Sequence, residues 1–160
     1  MLAELARRGH SVVEEPGRRV IAEEMRSGGS ALPWVDLAAF ARRAIQISLR
    51  DRMEAAQQKG WVFFDRGLID AAVALEYVSG EQVAEPLAHA HRYYRQVFLT
   101  PPWREIFEND ADRRHGMNAA LEEYERLVSA FPCFGYEVVD LPKLPVHVRA
   151  DFLLDCLEQR

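Results

Sequence analysis

The run Trp61-Val62-Phe63-Phe64 is followed at once by Asp65-Arg66-Gly67. Four bulky apolar residues in succession read as a strand buried on both faces, and such strands belong near the centre of a parallel sheet covered by helices. The carboxyl end of the strand then carries an acid, a base and a flexible residue. That edge of an open α/β sheet is where ligands bind. Two readings of Asp65 stand at this level: a site residue, or the cap of a helix beginning near Gly67 with Arg66 as its surface partner.

The rest of the chain supplies the helices and strands that such a sheet needs. Residues 1–8 have helical spacing (Leu2, Leu5, Ala6) and stop at Gly9. Residues 10–15 read as a short strand ending in Glu14 and Glu15, and Pro16 stops it and opens a helix over 17–26. After the flexible loop 27–30, Asp36 is placed to cap a long amphipathic helix ending at Gly60. Its spacing puts Leu37, Phe40, Ala41, Ala44, Ile45, Leu49 and Met53 inside and Arg42, Arg43, Arg50, Asp51 and Arg52 on the exposed or cleft side. A helix over 68–78 is apolar nearly all round, and a shorter one over 82–91 carries His89 and His91. Two residues apart on a helix, these histidines point in different directions, which argues against a shared metal. A strand over 95–100 is ended by Pro101-Pro102. A strongly charged stretch follows, then a helix over 117–131, a strand over 136–141, and a closing helix opened by Pro145 with Val146, Ala150, Leu153 and Leu157 on its inner face.

Four strands separated by helices predict an α/β fold of three layers, a parallel sheet with helices on both faces and right-handed crossovers. In one such sheet the carboxyl ends would bring Glu14, Glu15, Asp65, Arg66 and Thr100 to a common edge. With 160 residues and no linker, repeat or low-complexity tract, one domain is expected.

Charge and composition narrow the partners. A net charge of −5 argues against a broad nucleic-acid footprint. Lys59 and Lys143 are the only lysines, so the basic residues are almost all arginine. That bias suits bidentate phosphate or carboxylate contacts and equally fits codon usage. Cys133 and Cys156 have no metal spacing and lie among apolar neighbours, which predicts reduced core residues in a cytosolic protein. No apolar run approaches a secretory signal or a membrane span, so a soluble cytoplasmic protein is expected, without a membrane partner.

The segments Ala3-Glu4-Leu5-Ala6-Arg7-Arg8-Gly9-His10, Val13-Glu14-Glu15-Pro16-Gly17-Arg18-Arg19 and Phe63-Phe64-Asp65-Arg66-Gly67 together resemble the P-loop NTPase and kinase superfamily. Within it they resemble the AAA-type ATPase family related to the kinase domain of NadR. The resemblance covers essentially the whole chain. It implies ATP and Mg²⁺ as cofactors, a small nucleoside-like phosphate acceptor, and the strand order 2-3-1-4-5 with the first strand leading into a glycine-rich phosphate loop. By the same resemblance Glu15 is a base or orienting acceptor for the acceptor hydroxyl, and Asp65 holds the Mg²⁺ shell through water. Arg66 contacts acceptor or phosphate. Arg104, Arg113 and Arg114 belong to a lid over 101–116 that closes on the triphosphate.

The sequence departs from that family at one place. No G-x-x-x-x-G-K-S/T occurs in it, and Gly28-Gly29 has no Lys-Ser or Lys-Thr after it. The helix expected after the phosphate loop corresponds to residues 1–8. The expectation is therefore a domain lacking its first, central strand and inactive as 1–160 alone, through a start codon assigned too late, a gene fragment or a degenerate relative; the first is favoured, with in-frame upstream codons supplying strand and loop. A non-catalytic regulatory or interaction module derived from the same fold is the alternative.

Overall fold

In the computed structural model the chain is described over residues 1–106 and 116–158. In sequence order the elements are α1 (Leu2–Arg7), β1 (Ser11–Val13), α2 (Pro16–Ser27), α3 (Leu37–Ala55), β2 (Val62–Phe64), α4 (Leu68–Ser79), α5 (Ala84–Ala90), β3 (Gln96–Leu99), a 3-10 turn at Arg104–Ile106, α6 (Met117–Cys133), β4 (Glu137–Asp140) and α7 (Val146–Glu158). They form two compact units, 10–92 and 1–9 with 93–160.

In the unit 10–92, β1 and β2 pair in parallel with Ser11 opposite Val62, Val12 opposite Phe63 and Val13 opposite Phe64. The ladder runs one residue further, because the Asp65 N–H donates to the Val13 carbonyl at 3.0 Å. The helices start and stop for local reasons. Pro16 occupies the first turn of α2, where its missing N–H costs nothing. The Asp36 carboxylate accepts the Ala39 N–H at 2.8 Å and caps α3 as its position predicts. The Asp70 carboxylate accepts the Gly67 N–H at 2.9 Å, and α4 ends on Gly80 in the left-handed conformation at φ 74°. Glu76 reaches beyond that end, its Oε1 accepting the N–H groups of both Val83 and Ala84 at 2.8 Å, which satisfies two donors at the start of α5.

α3 packs against both α2 and α4. Val20, Ala44, Ile47 and Ala71 form a buried cluster there, with Phe40 and Ile45 packed on it. Val20 and Leu68 are wholly buried, and burying each contributes roughly 1.5–3 kcal/mol.

In the other unit, β3 and β4 pair in parallel from Gln96 opposite Glu137 to Leu99 opposite Asp140. α6 covers this pair, with Leu127 and Phe131 buried. The Tyr136 ring meets Phe131 edge-on at 5.7 Å, and its hydroxyl accepts the Tyr93 N–H at 3.2 Å. Arg8 ties α1 to α7, donating to Asp151 at 2.6 Å and to the His147 carbonyl at 3.0 Å.

Element types and order match the sequence expectation, and some details differ. The described strands form two parallel sheets of two strands each. Val62, Phe63 and Phe64 are accordingly half-buried rather than enclosed, because β2 has one strand neighbour and not two. On α3, Asp51 is buried and Met53 is 70 % exposed, the reverse of their expected faces. Asp51 continues the stripe of Ala44, Ser48 and Ala55 that α2 and α4 cover, and Met53 lies off it. Cys133 also differs: expected in the core, it is exposed where α6 runs out through Pro132.

Candidate active site at the carboxyl ends of β1 and β2

Parallel pairing puts the chain segments leaving β1 and β2 on the same edge of their sheet, which brings Glu15 and Arg66 together. Glu15 precedes the first turn of α2, and its Oε1 lies 3.5 Å from Arg66 Nε. Its other oxygen, Oε2, lies 3.3 Å from Nε of Arg18, one turn along α2. Arg66 adopts φ 60°, and among the described residues it is the non-glycine residue recorded in the left-handed region.

Asp65 is exposed at the end of the β1–β2 ladder. The cap of α4 is at Gly67, served by Asp70, so the capping reading of Asp65 does not hold. The acid does not serve as that cap and stands at the carboxyl end of β2, the kind of sheet edge where ligands bind in open α/β folds.

The floor of this cluster is built by close packing. At Gly17 an added Cβ would lie 3.0 Å from Phe40 Cζ and 3.5 Å from Glu15 Oε1. A side chain there would crowd the aromatic ring and come into ordinary contact with the acid. Behind Glu15, Arg19 grips Asp51 with both terminal nitrogens, Nη1 donating to Oδ1 at 3.1 Å and Nη2 to Oδ2. This pair fastens α2, which carries Glu15 and Arg18, to α3.

Sequence reasoning therefore named three residues that the fold gathers, Glu15, Asp65 and Arg66. It missed Arg18, Gly17 and the Arg19–Asp51 pair. The spacing of Asp51 from Ala44 and Ala55 was the available signal for the last. Arg104 belongs to the other unit, where it is exposed in the turn Arg104–Ile106. Arg113 and Arg114, with most of the expected lid, lie outside the described residues. Among the described residues no helix is long and apolar enough to cross a membrane.

A family model described as the AAA domain matches residues 1–149. The chain belongs to the AAA domain family. Two parallel strand pairs flanked by helices are compatible with the P-loop NTPase type of fold to which AAA domains belong. No curated protein and no solved structure matches the chain. As an AAA domain, the protein falls in a class that in general uses a nucleotide with Mg²⁺. The acid-bearing strand ends described above are where residues for that chemistry would be sought.

Proposed function

We propose that this AAA domain binds ATP with Mg²⁺ and transfers the γ-phosphoryl group to a hydroxyl of a small, nucleoside-like acceptor, as a cytoplasmic kinase related to NadR. The observation that carries the reading is the meeting of Glu15 with Arg66 at the ends of two parallel strands, beside Asp65. Glu15 orients the acceptor hydroxyl and accepts its proton. Arg66 neutralises charge next to it, since fixed donors and charges aimed at the reacting centre are the main source of phosphoryl-transfer catalysis.

Asp65 suits the implied metal. Mg²⁺ takes one or two carboxylates, keeps several waters and completes its shell with phosphate, so a single exposed carboxylate at this edge fits without a protein cage. When bound, the ion would neutralise the phosphate charges. The lid role of Arg104, Arg113 and Arg114 belongs to the same proposal.

The strand order 2-3-1-4-5 accompanies this reading. Pairing of β1 with β2 and of β3 with β4 agrees with it, as the 2-3 and 4-5 pairs. The reading also needs the first strand and its phosphate loop, whose signature is not among the 160 residues. That same observation favours a second reading, a regulatory or interaction module built on the fold. Calorimetric titration of the complete protein with ATP and Mg²⁺ separates the two. Micromolar binding is expected. No binding would overturn the kinase reading.

A further inference from the structure

Glu15 is flanked from both sides. Oε1 faces Arg66 Nε at 3.5 Å and Oε2 faces Arg18 Nε at 3.3 Å. Both contacts exceed the roughly 2.7–2.9 Å of a strong charge-assisted bond, so each oxygen is steered by a cation while keeping room to accept a further hydrogen bond. The two arginines come from different elements, one from α2 and one from the end of β2. Together they put a cation beside each carboxylate oxygen, one from either side.

The backbone at Arg66 carries a cost for this arrangement. A left-handed conformation is unfavourable by about 1–2 kcal/mol for a residue with a Cβ. Gly67, which would bear it without cost, stands one position later with an extended φ of −170°. The conformational demand thus falls on the residue whose guanidinium meets Glu15.

We propose that Arg18 and Arg66 are a pair of positioning residues that hold the Glu15 carboxylate from its two oxygens, Arg66 through a strained backbone. This deepens the kinase reading and rests on it, since the carboxylate so held is the one that would receive the acceptor hydroxyl. It adds Arg18 to the site and assigns Arg66 an action through Glu15.

The test needs neither nucleotide nor acceptor, so its failure is distinct from failure of the ATP titration. Side-chain NMR relaxation on the labelled protein reads the order of the Glu15 γ-methylene group. Arg66→Gly and Arg18→Ala are each expected to lower its order parameter to below about 0.6, the flexible range, and millimolar guanidinium is expected to restore part of the order in Arg66→Gly. Arg66→Gly is expected to melt above Arg66→Ala by about 3–6 °C, because only glycine relieves the left-handed backbone. Glu15 order unchanged in both arginine variants would overturn the clamp. A glycine variant melting no higher than the alanine variant would overturn the strain at Arg66.

Discussion

Arg19 and Asp51 face each other across the α2–α3 interface, the carboxylate 6 % exposed and met by two guanidinium nitrogens. A buried pair of this kind is weak evidence for net stability, because desolvating both ions costs about as much as their attraction returns. Breaking it is another matter. Asp51→Ala is expected to destabilise by about 2–3 kcal/mol, below the roughly 3–5 kcal/mol of a fully buried pair, because Arg19 is 31 % exposed and can recover some hydration. Urea unfolding of Asp51→Ala against the double replacement Arg19→Met/Asp51→Leu checks this. The double variant should recover most of the lost stability, and an equal loss in both would contradict the account.

Asp65 is expected to separate function from folding. Since α4 is capped at Gly67 through Asp70, Asp65→Asn should change stability by no more than about 0.5 kcal/mol. On the kinase reading, ATP turnover by the complete protein should fall on the order of a hundredfold, as loss of a group stabilising developing charge commonly does. Melting and turnover measured on one preparation decide it, and a near-normal rate removes Asp65 from the mechanism.

At the other end of the chain, acid should loosen α1. Hydrogen bonds from Arg7 and then Arg8 hold the Glu4 carboxyl down at about 2, against an ordinary 4.5, outweighing the opposite push of burial. A lowered folded-state value means that the stabilisation is complete above 4.5 and is lost as pH falls from there to about 2. Thermal melts across that window should steepen towards acid in the wild type. Glu4→Gln should flatten the curve, and identical curves would show the network to be inert.

Alkali should act on Tyr124 with the opposite sign. Desolvation first, then the 2.7 Å hydrogen bond it donates to Asp140, pushes the phenol up from 10 to about 12. The folded protein therefore keeps a proton that the unfolded chain loses. The resulting stability is complete below pH 10 and declines as pH rises to about 12. Ultraviolet titration should show a late tyrosine ionisation, and Tyr124→Phe should abolish it.

Helices and strands were legible because their causes are local. Asp36, Pro16 and the apolar spacing of α6 act within a few residues, and the structure uses them as read. Glu15, Asp65 and Arg66 could be named because strand ends are visible in sequence and parallel pairing brings such ends to one edge. Other features depended on neighbours far along the chain. Which side of α3 is covered is set by α2 and α4, and this placed Asp51 inside and Met53 outside. The half-burial of Val62–Phe64 reflects one strand partner, a matter of pairing that apolar content does not determine. Asp65 and Asp70 both lie near the start of the same helix, and the start at Gly67 left the reciprocal bond to Asp70. The left-handed turn at Arg66 was least legible of all. Local propensity favours glycine there, and the tertiary contact with Glu15 accompanies a conformation that the sequence alone would assign to Gly67.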